Sequence, residues 1–360
     1  MSRGGSGRSG AGRSGSVDAG AGRSGQARAG AVRTRDGALA RKRFGQHYLV
    51  DRSIIQSIVE AIAPRAGDRL VEIGPGTGAL TTPLLQAIEA VHQGVTRKPA
   101  NREPGTSEPG TSEPGASESG TSESGTSHAA AGAEPTGDSL LEVVEIDRDL
   151  ADRIETRFGS RVLLHRADAL AFDFGAGSVD DDRPLRVVGN LPYNISSPLL
   201  MHLAQWAHRV RDQHFMLQRE VVERIVANPG PQMGRLTVAL QNVYEVIALF
   251  DVPPSAFEPP PNVDSAVIRM IPRKRPLCAH PGILAPMLVA AFGQRRKMLR
   301  NTLLPWLGQH HPAKTLAEWI AGDPELAAFD DPRIRAEQVP VSAWCRLADR
   351  LAAPDQASTD

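Results

Sequence analysis

The sequence predicts an α/β fold: a Rossmann-like, doubly wound parallel sheet followed by a small C-terminal helical domain. Three observations predict it. Short runs rich in Val, Leu and Ile alternate with stretches of helical period from residue 52 onward. A glycine-rich turn, "VEIGPGTGAL", joins one such run to a helix. From about Pro276 only helical patterns remain. The 360 residues suffice for one large or two ordinary domains, and 41% hydrophobic with 23% charged residues is ordinary globular composition.

The elements follow in order. Residues 1–40 are mostly Gly, Ser, Ala and Arg, with too little to bury to offset the entropy of folding, so a disordered basic tail is expected. Residues 1–43 hold ten Lys or Arg against only Asp18 and Asp36, although the whole chain sums to +0. "RSIIQSIVEAIAP" puts Ile54, Ile55, Ile58, Val59 and Ile62 on one helical face and closes at Pro64. "RLVEIGPGTGALTTPLLQAI" reads as strand, turn and helix. Residues 93–137 carry "EPGTSEPGTSEPGASESGTSESGTS", a near-repeat of five residues with no apolar core, and are expected to form a disordered insert. "SLLEVVEIDRDLADRIETRF" resumes as strand, loop and helix; "RVLLHRADALAF" and "LRVVGNLPY" are further strands, and "FEPPPNVDSAVIRMIP" reads as a late strand pair. "GILAPMLVAAFGQRRKMLRNTLLPWL", "AKTLAEWIAG" and "VSAWCRLADRLA" form the helical part, with Trp306, Trp319 and Trp344 expected in its core. The expected organisation is a sheet-bearing domain over 41–274, interrupted by 93–137, a helical domain over 275–353, and a disordered tail over 354–360.

Two cysteines, Cys278 and Cys345, have no spacing for a disulfide framework or a zinc site, and both are read as inert. No apolar run approaches membrane-spanning length and no signal-peptide core is present. A soluble, cytoplasmic protein without metal or membrane partner is expected. His310 and His311 show no ligand partner and are assigned no role.

The chemistry concentrates at strand ends. In "VEIGPGTGAL", Gly74, Gly76 and Gly78 allow close backbone approach to a ligand, but Gly74, Gly76 and Ala79 also fit a dinucleotide-binding turn, and a tight turn without ligand is equally compatible. Glu145 ends the next strand, where a carboxylate accepts hydrogen bonds from two ribose hydroxyls. It lies 71 positions after Gly74, and 26 once residues 93–137 are removed, close to the roughly 20 of a nucleoside-binding unit. Asp168 ends the third strand and suits either an adenine amino group or a helix cap. "RVVGNLPYNISSPLL" then ends a strand in Asn190-Leu191-Pro192-Tyr193. Asn190 offers a side-chain carbonyl and Leu191 a backbone carbonyl; Pro192 fixes φ and adds no donor; Tyr193 offers a stacking face. Two acceptors aimed at one exocyclic amino group suit methylation of adenine, although the motif alone is also compatible with a β-turn.

"RKRFGQHYL", "VEIGPGTGALT", "VEIDRDL", "GNLPYNISSPLL", "FMLQREVVERI", "FEPPPNVDSAVIRMIP" and "AFGQRRKMLRNTL", in that order across residues 41–351, resemble the KsgA/RsmA-type ribosomal RNA adenine dimethyltransferases. The resemblance implies a class I S-adenosylmethionine-dependent methyltransferase sheet over 41–274 and an RNA-binding helical domain over 275–353. It implies S-adenosyl-L-methionine as methyl donor. The implied reaction is N6-dimethylation of two adjacent adenosines in the 3′-terminal hairpin loop of 16S rRNA, within the immature small ribosomal subunit, by a monomer. Carried onto this chain, the cofactor contacts are His47, Leu49, Gly74, Glu145, Asp168 and Asn190. Asn190, Leu191, Pro192 and Tyr193 form the catalytic target-base site, and Phe257 is a second stacking face. The family pattern usually has asparagine at the position of His47; the insert and the basic tail are further departures.

"QRRKMLRNTL" places Arg295, Arg296, Lys297 and Arg300 on about a turn and a half of helix, a solvated face or a phosphate-binding surface for folded RNA. Three rivals remain at this point: a large-subunit adenine methyltransferase of the macrolide-resistance type, a nicotinamide dehydrogenase, and a non-catalytic ribosome-assembly factor. The dehydrogenase leaves Asn190–Tyr193 without a purpose.

Overall fold

The computed structural model describes residues 31–33, 39–41, 47–96, 140–175 and 183–353. Strands β1 (Ala31–Arg33) and β2 (Leu39–Arg41) pair antiparallel, with β1 wholly inside and β2 at the end of the stretch expected to be disordered. The rest of the basic tail, most of the insert and residues 354–360 lie outside the described residues.

Strand β3 (Tyr48–Leu49) leads into helix α1 (Arg52–Ile62), which Asp51 caps by accepting from Ser53 and Ile54 N–H. β4 (Arg69–Ile73), β5 (Leu141–Val144), β6 (Val162–His165), β7 (Leu185–Asn190) and β8 (Val210–Gln218) are the parallel strands. Helix α2 (Thr81–Thr96) follows β4, α3 (Arg148–Phe158) follows β5 and α4 (Ser196–Ala204) follows β7. α5 (Arg219–Ile225), α6 (Arg235–Val243), β9 (Tyr244–Val252), β10 (Phe257–Glu258) and β11 (Ser265–Pro272) complete the sheet-bearing part. The seven-stranded sheet runs β6-β5-β4-β7-β8-β11-β9, with β11 antiparallel to both neighbours. α2 continues past residue 93, so the insert begins at least four residues later than expected.

Both faces of the sheet are covered, which is why its strands read as continuous apolar runs. Val71, Ile73 and Val187 face a core with Leu199, Val222 and Leu240 of α4, α5 and α6. Leu70, Val143 and Val188 point the other way, onto Ile58, Leu84 and Ile154 of α1, α2 and α3. At the amino ends of the strands, buried Arg186 donates to Asp212 (2.6 Å) and Asp68 (2.9 Å) and to the Ile62 and Ala63 carbonyls that end α1. Arg69 and Glu142 pair nearby at 2.5 Å. These ion pairs clamp one end of the sheet and leave the carboxyl ends for chemistry.

The late strand pair is not a pair. β10 binds β3, in register Phe257 with Leu49 and Glu258 with Tyr48, while β11 enters the main sheet. Pro259–Pro261 and the following turn separate the two and prevent a hairpin.

The C-terminal part comprises α7 (Pro281–Phe292), α8 (Leu303–His310), α9 (Leu316–Ile320) and α10 (Val341–Ala352) around Trp344, Met287 and Leu303. Met233 and Val238 of the α6 region share that core. Trp344 is fully buried and Trp319 nearly so, whereas Trp306 is half-buried and stacks on His310 at 4.9 Å. The α-helix expected through residues 293–300 is absent: α7 ends at Phe292, residues 293–296 form turns, and Leu299–Asn301 makes one 3-10 turn. Tertiary contacts override helix propensity there. Leu299 N–H bonds the Ile334 carbonyl (2.8 Å), and Arg295 donates to the Pro231 (2.6 Å) and Met233 (3.1 Å) carbonyls.

Candidate active site

The chain order reverses between β4, whose next strand β5 lies to one side, and β7 on the other. Ligands bind at the carboxyl ends of strands beside such a reversal. The glycine turn follows β4 and the Asn190 turn follows β7, so the two motifs meet there. Gly74 and Gly76 take φ of 64° and 58°, a region that favours glycine, and a Cβ on Gly76 would lie 3.2 Å from the Tyr48 ring. Gly189 has a different reason: a Cβ there would sit 2.6 Å from the Ile73 carbonyl of β4.

A cavity of about 1200 Å³, counting its open mouth, lies over these strand ends. It brings together His47, Gly74, Glu145, Asp168, Asn190, Leu191, Pro192 and Tyr193 of the expected residues. Leu49 and Phe257 are not on its lining; each is 4% exposed, in register across β3 and β10, within the apolar core. Phe257 therefore offers no stacking face in this structure. Arg295 lines a separate groove beside α6 and α7, and Arg296, Lys297 and Arg300 are exposed on or near the 293–296 turns.

Glu145 is buried, and burial pushes its carboxyl above the ordinary range. It accepts from Asp147 N–H (2.9 Å) and Gly76 N–H (3.3 Å), which ties the end of β5 to the glycine turn. Asp168 is exposed and caps a turn by accepting from Leu170 N–H (2.9 Å) with one oxygen. Asn190 donates Nδ2 to the His47 carbonyl (3.1 Å), which leaves Oδ1 as an acceptor. Leu191 N–H bonds the Met216 carbonyl (3.2 Å), anchoring the turn to β8. Tyr193 is half-buried, with its hydroxyl 2.6 Å from Ser265 Oγ on β11 and its ring 5.8 Å from that of His47.

Sequence reasoning missed Tyr48, Ile146 and Ser265. Ile146 lines the cavity while 53% exposed, an apolar residue left open beside a carboxylate, and its place directly after Glu145 was the available signal. Tyr48 and Ser265 reach the site only through long-range pairing and carried no local signal. Both cysteines are buried, and burial pushes each thiol up to about 12.

Beneath the glycine turn a smaller cavity is lined by Glu72 and His214. Burial pushes Glu72 up to about 8 and His214 down to about 4. Folded Glu72 thus holds a proton that the unfolded chain loses near 4.5, so its contribution to stability is full below that pH and lost as pH rises toward 8. Glu72→Gln keeps the shape without the titration. Its unfolding free energy should match the parent below pH 4.5 and exceed it increasingly toward pH 8, by on the order of a few kcal/mol, with the melting temperature rising in step. A difference independent of pH would show that Glu72 does not titrate in this window.

Comparison with known proteins places this geometry in context. The ribosomal RNA adenine dimethylase family model matches residues 37–93 and 140–327. A "ribosomal RNA small subunit methyltransferase A" from Paraburkholderia xenovorans (strain LB400) is 45% identical over 88% of this chain and 95% of its own. The protein of that name from Burkholderia thailandensis is 43% identical over 89% and 97%. Among solved structures, a dimethyladenosine transferase from Plasmodium falciparum superposes with a TM-score of 0.57 at 22% identity, covering 84% of this chain and 96% of that one. The 23S rRNA methyltransferase ErmE gives 0.53 at 21%, covering 85% and 100%. These two likenesses establish the fold.

Proposed function

We infer, from the premise that the chain belongs to the ribosomal RNA adenine dimethylase family, that it is the small-subunit enzyme of that family. It is an S-adenosylmethionine-dependent methyltransferase that dimethylates the N6 amino groups of two adjacent adenosines in the 3′-terminal hairpin loop of 16S rRNA. The observation that carries this reading is the convergence of Glu145, Asp168, Asn190 and Tyr193 on one cavity at the sheet reversal. The large-subunit rival rests on fold likeness alone, at 21% identity, whereas relatives at 43–45% identity bear the small-subunit name. We assign the immature small subunit as substrate, the cytoplasm as location and the monomer as working form; no helix among the described residues is long and apolar enough to cross a membrane.

The residues present fit the donor. The buried Glu145 carboxylate, already holding two N–H groups, has lone pairs left for a ribose diol. Asp168 suits the adenine amino group of the donor, and exposed Ile146 offers an apolar surface to its ring. S-adenosylmethionine, when bound, supplies an electrophilic methyl group on a sulfonium. The chain's part is position and electrostatics. Asn190 Oδ1 and the Leu191 carbonyl accept from the target amino group and favour the pyramidal nitrogen that attacks. Pro192 holds that carbonyl without a competing N–H, and Tyr193 stacks on the base. Incubation with immature small subunits and with large-subunit RNA tests the reading. Dimethyladenosine should form only in the former; formation in the latter alone would favour the rival.

Two further outcomes are expected. Arg296, Lys297 and Arg300 make no ion pair or hydrogen bond through their side chains among the described residues, so we assign them, rather than Arg295, to RNA phosphates. Replacing the three with glutamine should weaken RNA binding and flatten its dependence on salt, by up to about 0.7–0.9 in log–log slope per lost contact. An unchanged slope would return them to solvated surface. Arg295 is instead a tether, through Pro231, Met233 and Glu337.

The insert should be dispensable for chemistry. The family match skips residues 94–139, and their composition cannot support a core. Deleting 98–138, which spares α2 and β5, should leave donor affinity within about threefold, because closing a shorter loop costs little. A folded deletion protein without donor binding would contradict this.

A further inference from the structure

We infer that Ser265 is a positioning residue for the methyl transfer: from the first position of β11 its hydroxyl fixes the long axis of the Tyr193 ring before the target base arrives. The inference rests on the proposed reading that an adenine stacks on Tyr193. Ser265 is fully buried, in register with Gln218 of β8 and Val252 of β9, and is not on the lining of the cavity over the sheet reversal. The strand runs on through buried Ala266, Val267 and Ile268. A hydroxyl in such surroundings is destabilising unless it is hydrogen-bonded. Among the described residues the partner of Ser265 Oγ is the Tyr193 hydroxyl, at 2.6 Å, and no other is found. The serine's one contact is thus a side chain of the base site.

Tyr193 is held at both ends. Its main-chain carbonyl accepts from Ser196 Oγ (3.0 Å), a buried hydroxyl at the start of α4, which fixes the backbone. Its own hydroxyl, at the far end, meets Ser265. The phenol oxygen lies on the ring's long axis, so a bond there fixes the direction of the whole side chain. Burial holds the Tyr193 phenol above its ordinary range, and the contact therefore joins two neutral hydroxyls. Ser265 is not free to follow a moving ring. β11 is paired on both sides, and the preceding Asp264 accepts from Arg219 N–H (3.0 Å) and pairs with the Arg219 guanidinium (2.9 Å) at the head of α5. An incoming base then stacks on a ring whose rotamer is already chosen, without the entropic cost of immobilising it. The bond touches neither the reacting nitrogen nor the donor methyl. It serves the bound base and the transition state alike, which lowers KM and leaves kcat unchanged.

Ser265→Ala, Tyr193→Phe and the double variant form a cycle that isolates the contact. For each full-length protein KM and kcat are measured on immature small subunits, donor affinity by calorimetry with S-adenosylmethionine, and folding by melting curves. Either single variant should raise KM about fivefold, the ratio a neutral hydrogen bond commands, with kcat and donor affinity within about twofold of the parent. The double variant should also stand near about fivefold, because its second substitution removes a bond already broken. A general loosening of the sheet by Ser265→Ala would act without the phenol as well, and the double variant would then approach roughly 25-fold. That additivity overturns the inference, as does parental KM in a folded Ser265→Ala protein or a fall in kcat with KM unchanged. Tyr193→Phe breaks the same bond without touching the strand, so parental KM in that variant alone also overturns it. A parental protein that leaves the subunits unmodified overturns the functional reading and this inference together. Modification by the parent with an additive cycle overturns the inference alone.

Discussion

Asn190→Ala is expected to reduce dimethyladenosine formation by about 100-fold or more, the usual consequence of removing one preorganised group aimed at the reacting centre. Asn190 ends β7, at the sheet reversal, and divides its amide between two tasks. Nδ2 donates to the His47 carbonyl, which leaves Oδ1 for the target amino group that the proposed reading assigns to it. Alanine removes both. The acceptor loss lowers the rate of methyl transfer, and release of the 47–49 segment lowers donor affinity as well, since Tyr48 packs against Gly76. Single-turnover kinetics on immature subunits and calorimetry with S-adenosylmethionine measure the two losses separately. A folded Asn190→Ala enzyme within threefold of the parental rate would make this turn structural.

Tyr193→Ala should give a different pattern. In the proposed reading the ring faces the target base, where losing a stacking face costs roughly 1–3 kcal/mol of base binding. Methylation should fall by that amount while donor affinity stays nearly intact. Tyr193→Phe keeps the ring and loses only the bond to Ser265, so most activity should remain. Because Tyr193 is half-buried, circular dichroism and melting curves must first show that the alanine variant is folded. Parental dimethylation by Tyr193→Ala would contradict the stacking role.

The parts of this molecule legible in its sequence share one property: their signal is local. β4, β5 and β7 read correctly because both faces of a parallel sheet are buried, which leaves unbroken apolar runs. The Gly74 turn, Glu145 and Asn190–Tyr193 were found at strand ends because each motif is contiguous, and removing the insert restored ordinary spacing. Errors arose where distant chain decides. The resemblance placed a second stacking face at Phe257, and in this structure pairing with β3 buries that ring against Leu49. "QRRKMLRNTL" has good helix formers, but Arg295 is drawn to Pro231 and Met233, and Leu299 to Ile334. Tyr193 reads locally as a stacking face, but its partners Ser265 and His47 lie 72 and 146 positions away.

The proposed reading gives the cavity over the sheet reversal to a nucleoside and a base, and Arg296, Lys297 and Arg300, exposed after α7, to phosphates of a folded RNA.

The most direct test of the account is position-resolved mass spectrometry of 16S rRNA from immature small subunits after incubation with the enzyme and S-adenosylmethionine. Two adjacent N6-dimethyladenosines should form in the 3′-terminal hairpin loop with the parental protein, and neither should reach an appreciable level in the same time with Asn190→Ala. Methylation elsewhere in the RNA, or full dimethylation by the folded Asn190→Ala variant, would contradict it.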